Sequence, residues 1–431
     1  MNTPKQKWLL ISHAFNMDGR AASQTITDKI PALTEAGIEL TVISAVTGRK
    51  DTALRHHQVL PWGAAALRFD LRHRLRRAFG KDWRYRLLML SFSLLAAPFL
   101  VLEKLLVGLQ NHWSWAPAAY FRARALLKRE HYDVLYTTAG MYSAHLAGLW
   151  LKRATGIKWI AEVHDPLVQR ASADDLGQGP RKTRDEAFQA WLEQRLCSEA
   201  DHVWWFTQGA LDMARARNPQ LGDKGFQVLP GALPPVSDAR HAGGATLRLC
   251  HFGSLSPTRS ARHLLEGIVH LRERDPGALA SFELHIFGGM LDTPARALLG
   301  HPLLQNTVVE HGRLERDPRT GKSGREQVID EMHRADVLLL LHGEHAGCSE
   351  YIPSKLYEYL FTERPLMALV HDNPQLEALV REHGGYVASA CDIPQIARAL
   401  AAMHTDWAAH ALPAAGGAAR TVKACVETVL A

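Results

Sequence analysis

The stretch Glu350-Tyr-Ile-Pro-Ser-Lys-Leu-Tyr-Glu358 sets two carboxylates on either side of seven residues that include a proline. Pro353 suits a first helical position, because its fixed φ matches the helix and its missing N–H is not needed there. Glu350 then lies on the loop before a helix, and Glu358 lies inside it, about 1.5 turns past the N-terminus. The N–H groups of Ser354, Lys355 and Leu356 become donors at the positive end of the helix dipole, which suits an anion such as a diphosphate. Carboxylates flanking that end can accept hydrogen bonds from sugar hydroxyls. One glutamate for a sugar, the helix end for a diphosphate and one glutamate for a ribose together describe a sugar nucleotide. The competing reading is an ordinary amphipathic helix, with Leu356 and Leu360 facing a core and Glu358 solvated. The surroundings have to decide.

With 431 residues, the chain can form two domains of about 200 residues, each with its own core. Its composition, 47% hydrophobic and 22% charged, is that of a globular protein. Five scattered cysteines with no C-x-x-C pair argue against a disulfide framework or a thiolate metal site and fit a reducing compartment. The apolar run near the N-terminus is too short for a signal peptide, so it reads as a first strand and the protein as cytoplasmic.

The net charge of +6 is concentrated. Residues 68–86 hold eight basic side chains, among them Arg72, Arg74, Arg76 and Arg77, against two acidic ones. Residues 87–102 follow without a charge. A bilayer-spanning helix needs about 20 apolar residues and Pro98 interrupts this run, which speaks against a transmembrane segment. Two readings remain: a monotopic surface that docks on anionic lipid, or a buried helix pair whose polar face is basic. Nucleic-acid binding is disfavoured, since only Trp83 and Tyr85 could act there as stacking platforms.

Strand-like and helix-like segments alternate through the rest of the chain, the pattern of parallel α/β sheets. A Pro/Gly-rich stretch from Leu229 to Gly244 interrupts the alternation, which restarts at residue 247. The predicted organisation is an N-terminal Rossmann-like domain over 1–232, with 68–115 as its basic and apolar insertion, then a linker over 233–245. A second Rossmann-like domain follows over 246–410, and a tail with a helix over 411–431 returns to the first. Two such sheets would face each other across a cleft, with ligands beyond the carboxyl ends of the strands.

Three further loops follow strands. Gly19, in Phe15-Asn-Met-Asp-Gly-Arg20, permits close backbone approach to a phosphate. Arg259, in Phe252-Gly-Ser-Leu-Ser-Pro-Thr-Arg259, can hold a diphosphate bidentately and compensate charge on a leaving group. His164-Asp165 ends the buried strand Trp159-Ile-Ala-Glu-Val, and its imidazole can meet a sugar hydroxyl.

Together, Glu350-x7-Glu358, Gly253 to Arg259 and His164-Asp165 resemble the retaining glycosyltransferases of the GT-B fold, family 4. The segments Asp133 to Gly148 and Pro353 to Pro365 add to the likeness, which covers nearly the full chain. The resemblance implies donor binding in the second domain and acceptor binding in the first. It implies catalytic positions at His164, Glu350 and Arg259. Donor contacts would come from Gly19, Gly253, Ser254, Arg259, Ser354, Lys355 and Glu358. It also implies transfer from a nucleoside-diphosphate sugar to a glycan or lipid-linked acceptor in cell-surface polysaccharide synthesis, at the inner face of the membrane. The anomeric configuration is retained by front-side attack, with no cofactor. No Asp-x-Asp occurs, in keeping with the metal-independent chemistry that the resemblance implies.

Two features depart from the family pattern. The glycine-rich turn after the first glutamate is Tyr351-Ile352-Pro353 here, and Pro353 offers no N–H. The basic residue after the glycine is Ser254, which leaves Arg259, or Lys355, as the cation. Two rivals stay open: a sugar-nucleotide epimerase on the same fold, and a non-catalytic assembly subunit of a glycan pathway. A dehydrogenase fingerprint Gly-x-Gly-x-x-Gly is absent, and the P-loop-like Arg319-Thr-Gly-Lys-Ser323 has Arg316 where the first glycine belongs.

Overall fold

A computed structural model of the chain describes residues 6–17, 20–109, 112–138, 140–168, 183–241 and 243–430. The chain divides into two compact units, Met1–Pro230 with Val422–Ala431, and Gly231–Thr421.

In the first unit, β1 (Gln6–Ile11), α1 (Ala21–Glu35), β2 (Ile38–Ala45) and β3 (Arg55–Val59) lead into the helices α2 (Ala64–Phe79), α3 (Trp83–Leu106) and α4 (Trp115–Leu127). Alternation resumes with β4 (Val134–Thr137), α5 (Ser143–Thr155), β5 (Lys158–Val163), α6 (Arg184–Glu199), β6 (His202–Trp205), α7 (Gln208–Arg217) and β7 (Gly225–Gln227). The seven strands form one parallel sheet in the order β3-β2-β1-β4-β5-β6-β7. Strands buried on both faces need apolar side chains throughout, and Leu9, Leu10 and Ile11 of β1 are all fully buried. One face packs against α4 and α5 through residues such as Trp115, Ala119, Leu146 and Leu149. On the other, Trp8, Leu10, Ile26 and Leu33 pack with Val422 and Val426 of the chain's last helix (Val422–Leu430). Lys423 of that helix pairs with Glu35 of α1 at 2.8 Å.

The helices α2 and α3 form a hairpin, and here the structure corrects one expectation and decides against one of two open readings. First, α3 runs unbroken for 24 residues through Pro98. A proline costs the helix its bond to the carbonyl four residues earlier, and both Leu94 and Pro98 lie on the exposed side. The helix, about 36 Å long, is therefore long and apolar enough to cross a membrane. The helix nevertheless lies within the first unit and is tied there at its C-terminal end, where Glu103 accepts from Ala65 N–H at 2.9 Å and from Trp113 Nε1 at 2.7 Å. Second, the helix pair is not buried. Tyr85, Met89, Phe92, Ala96 and Leu100 form the inward stripe of α3, with Ala96 its one fully buried residue. Leu87, Leu90, Leu94, Leu95, Phe99 and Leu102 are exposed, Leu95 to 78%.

In the second unit the strands are β8 (Leu247–Phe252), β9 (Phe282–Phe287), β10 (Val308–Gly312), β11 (Val337–Leu341), β12 (Leu366–Val370) and β13 (Gly385–Ser389). The helices, in chain order, are α8 (Arg262–Arg274), α9 (Thr293–Arg296), α10 (Gly324–Arg334), α11 (Lys355–Tyr359), α12 (Pro374–His383) and α13 (Ile393–Ala408), and the last helix of the chain becomes α14. The parallel sheet has the order β10-β9-β8-β11-β12-β13. Ser323 and Glu326 make a capping box on α10, and Asn373 caps α12 ahead of Pro374. Each sheet reverses its strand order once, between β1 and β4 and between β8 and β11. Such switch points are where open α/β sheets bind ligands.

Candidate functional site

The reversal in the second unit gathers most of the residues singled out in the sequence. Beyond β8, Gly253 adopts φ +148°, and its N–H donates to Phe287 O at 2.8 Å. A Cβ on Gly288 would come within 3.2 Å of the Gly253 backbone, so two glycine turns stack where side chains could not. The turn continues through exposed Ser254 to Arg259, whose N–H donates back to Ser256 O at 2.9 Å. The Nε of Arg259 is shielded from solvent and meets no acceptor.

Arg259 reaches the loop of the first glutamate. Burial pushes the Tyr351 hydroxyl up to about 12, and the Arg259 guanidinium opposes that rise. The loop itself is firmly tied. Tyr351 O accepts from His342 Nε2 at 3.0 Å and from Asn373 Nδ2 at 2.9 Å, and the Tyr351 hydroxyl donates to His342 O at 2.5 Å. Gly343 (φ +147°) leaves room for that hydroxyl, since a Cβ there would lie 2.9 Å from it. Glu350, in the 3-10 turn Ala346–Glu350, is buried.

The helix after this loop differs from the sequence reading. It starts at Lys355 with Ser354 as N-cap, so Pro353 precedes the cap instead of occupying the first helical position. Leu356 N–H donates to Pro353 O at 2.9 Å, which closes the first turn early and removes that amide from the expected donors. Ser354 and Lys355 amides meet no acceptor among the described residues. Tyr359 fixes α11 to the sheet by accepting from Phe252 N–H at 3.1 Å. Lys355 and Arg259 both act on buried His251: burial first, then these two cations, hold its imidazole down at about 4 against a bond to Leu339 O. The Phe252–Tyr359 bond holds α11 at the end of β8, and Gly343 stands between the Tyr351 hydroxyl and Thr258 O, so the Arg259 turn, the Glu350 loop and α11 meet there.

Glu358 has a partner that the sequence did not announce. Arg325 of α10 grips both its oxygens, at 2.7 and 3.0 Å, and Lys355 Nζ stands at 3.6 Å. A carboxylate offers about four lone-pair sites, so a bidentate arginine leaves capacity for a further donor.

The first unit holds a separate cluster beside its own reversal. Glu162 of β5 is fully buried and pairs with Lys29 of α1. It also accepts from Tyr136 at 2.7 Å and from Thr138 at 2.8 Å. Burial pushes this carboxyl up, but the Lys29 ammonium and the His164 ring outweigh it and hold it well below the usual carboxylate range. His164 stacks on Phe206 with ring centroids 4.4 Å apart. Its Nε2 lies 2.8 Å from Glu162 Oε1 and 2.9 Å from Thr138 Oγ1. The ring is thus turned inward, and only its other edge and the exposed Asp165 can face a ligand. Lys29, Thr138 and Glu162 were missed in the sequence, although an acidic residue inside an apolar strand was a signal for the last. Gly19 lies outside the described residues. Arg72, Arg74 and Arg76 are exposed on α2, whereas Arg77 turns to the Thr47 and Val46 carbonyls at 2.6 and 3.2 Å. As to metal ligands, His263, Glu344 and Cys391 bring one ligand atom each within 4.8 Å of one another.

Residues 22–217 match the family model described as Glycosyltransferase Family 4. Over those residues this chain is similar to Glycosyltransferase Family 4. Solved structures resemble the whole chain at low identity. The lipopolysaccharide outer core galactosyltransferase WaaB is 12% identical with a TM-score of 0.55, over 98% of this chain and 95% of that one. S. aureus TarM, solved with fondaparinux, alpha-GlcNAc-glycerol and UDP, is 9% identical with a TM-score of 0.58, over 94% of each chain. An E. coli trehalose-6-phosphate structure bound with UDP-2-fluoro glucose is 12% identical with a TM-score of 0.58, over 92% and 90%. Curated protein sequences give no match. At these identities the structural likeness speaks for the fold, and two Rossmann-like units with parallel sheets are the GT-B architecture. The chain thus has the GT-B fold, and its residues 22–217 are similar to Glycosyltransferase Family 4.

Proposed function

We propose that this protein is a family 4 glycosyltransferase that moves a sugar from a nucleoside-diphosphate sugar to a glycan or lipid-linked acceptor, with retention and without a metal. The convergence of Arg259 and Lys355 on the glycine turn, beside the Glu350 loop, carries the reading. A departing diphosphate gains negative charge as the glycosidic bond breaks, and fixed cations aimed at it stabilise that charge without reorganisation. Arg259 and Lys355 supply what a metal otherwise supplies, with the Ser354 and Lys355 amides as added donors. Glu350 faces the donor sugar and Glu358 the ribose, held in orientation by Arg325. The first unit binds the acceptor near His164. The structures of TarM with UDP and of the E. coli protein with UDP-2-fluoro glucose support a uridine nucleotide as the first donor to try.

The acceptor is met at the cytoplasmic face of a membrane. In support, the exposed side of α3 is apolar between its charged ends, while α2 beside it carries exposed arginines. A helix of this kind, held within one unit, lies in a bilayer interface rather than across it.

Calorimetric titration of UDP, GDP, ADP and dTDP tests the donor site. At least one nucleotide is expected to bind, and Glu358→Ala is expected to weaken it about tenfold, the effect of a lost charge-assisted bond pair to a ribose. An unchanged affinity in the variant would remove Glu358 from the ribose.

A further inference from the structure

A cavity of about 810 Å³ opens in the first unit, between the ends of β2 and β3, the C-terminal half of α2, and α4. None of the residues already given a role in the donor reading lines it. Its lining includes five cations, Arg49, Lys50, Arg74, Arg77 and Arg122, together with His57, and no acidic residue. Such a lining is not what a ligand pocket of roughly 300–1,000 Å³ ordinarily shows, since those are mostly apolar. Like charges gathered around one space repel, and the arrangement is relieved when an anion fills it.

Asp51 and Glu130, the acids that act on His56 and His57, already have partners. Asp51 accepts from the Ala53 and Leu54 N–H groups at 2.8 and 3.2 Å and from Asn16. Glu130 is engaged with Lys7, Arg55 and Tyr132. Histidine protonation does not add to the positive charge, because His57 is used as an acceptor. Arg122 donates to its Nδ1 at 2.8 Å, and burial first, then Arg122 and its neighbours, lower its proton affinity. Its Nε2 therefore carries the hydrogen, is shielded from solvent and has no partner among the described residues. An unsatisfied buried donor among five cations is what a bound oxyanion would complete.

Beside the cavity, the exposed rings of Trp62 and Phe121 stack with centroids 5.3 Å apart, and Phe121 directly precedes Arg122. Leu60, itself exposed, belongs to the lining. Cations, an aromatic platform and the apolar helix α3 all lie in this one unit.

We infer that this cavity binds phosphoryl groups, a phosphomonoester or diphosphate, and that it thereby holds the phosphorylated end of the acceptor. The acceptor assignment rests on the glycosyl-transfer reading; the phosphoryl site does not. Phosphate oxygens take guanidinium donors from Arg74 and Arg122. Arg49 and Lys50 close the rim.

Binding of inorganic pyrophosphate to the full chain tests this, in an Arg259→Ala/Lys355→Ala background so that the two cations of the second unit do not contribute. That background protein is expected to bind pyrophosphate. Adding Arg74→Ala with Arg122→Ala is expected to weaken it at least about tenfold, the loss of two charge-assisted contacts. Arg49→Ala with Lys50→Ala, on an exposed loop where folding is not at stake, is expected to weaken it as well. Pyrophosphate affinity untouched by both pairs overturns the site. Phosphatidylcholine vesicles with and without phosphatidylglycerol separate a dedicated phosphoryl site from general attraction to lipid headgroups. Vesicle binding is expected to stay within about twofold in an Arg122→Ala protein, because the apolar area of α3 and the exposed arginines of α2 carry it. Loss of vesicle binding with pyrophosphate affinity intact overturns the proposal and assigns these cations to bulk lipid. No sugar nucleotide enters the measurement, so a protein that binds pyrophosphate here but transfers no sugar keeps the site and loses the acceptor assignment.

Discussion

Lys29→Met is expected to lower the unfolding free energy by about 3–5 kcal/mol, the cost of leaving a buried charge without its counter-ion. Lys29 and Glu162 are both buried, on α1 and β5, and no other cation pairs with Glu162 apart from the conditional charge of His164 among the described residues. Removing the ammonium leaves a carboxylate held by the Tyr136 and Thr138 hydroxyls and by His164. Urea denaturation gives the number. A loss below about 1 kcal/mol would mean that the pair contributes no more than a surface ion pair. Lys29→Met with Glu162→Gln should recover part of the loss, since neither charge then remains. The pH dependence has a definite sign. A carboxyl whose folded value lies below its unfolded one stabilises the fold fully above the unfolded value, near about 4.3. That contribution is lost as pH falls further into acid, toward the lowered folded value. The Glu162→Gln protein should therefore show a shallower acid loss than the parent.

Arg259→Ala is expected to reduce the transfer rate by about 10²–10³, the range seen when one preorganised charge-stabilising donor is removed. The guanidinium is positioned before any ligand arrives: the Ser256–Arg259 turn fixes its backbone and Tyr351 lies beside it. Its effect should fall mainly on kcat, because the charge it meets develops as the leaving group departs. Arg259→Lys keeps the charge but not the planar fork, and should recover part of the rate. Steady-state kinetics with the sugar nucleotide that turns over will show it. A variant that raises KM alone would make Arg259 an anchor of the ground state and leave Lys355 as the cation of the transfer step.

The two parallel sheets were legible because β1, β8, β11 and β12 are apolar runs bounded by turns. Strand β3 was not, since Arg55-His-His-Gln-Val59 sits at a sheet edge, where polar residues are tolerated and no buried pattern arises. Strand β7 has three residues, too few for a pattern. Pro98 misled because an interior proline ends a helix only when nothing offsets the lost bond, and on the exposed side of α3 the loss is local. At the site, the loops carrying Gly253, Arg259 and Glu350 could be read from their places after strands. The Arg325–Glu358 pair could not, since it joins residues on two different helices whose approach only the tertiary fold sets. His164 shows the complementary limit. Its place after β5 was readable, but the inward turn of Nε2 depends on Glu162 and Thr138, two positions that alternation assigns to a core.

The central claim is sugar transfer from a nucleoside-diphosphate donor, and one measurement meets it directly. Purified protein is incubated with labelled UDP-, GDP-, ADP- and dTDP-sugars and a membrane lipid extract, and NMR follows both the nucleotide and the new glycosidic bond. The account predicts that one donor releases nucleoside diphosphate in step with label entering the lipid or glycan fraction, and that the new linkage keeps the donor's anomeric configuration. Release from none of the donors, or an isomeric sugar nucleotide formed without any acceptor, would contradict it.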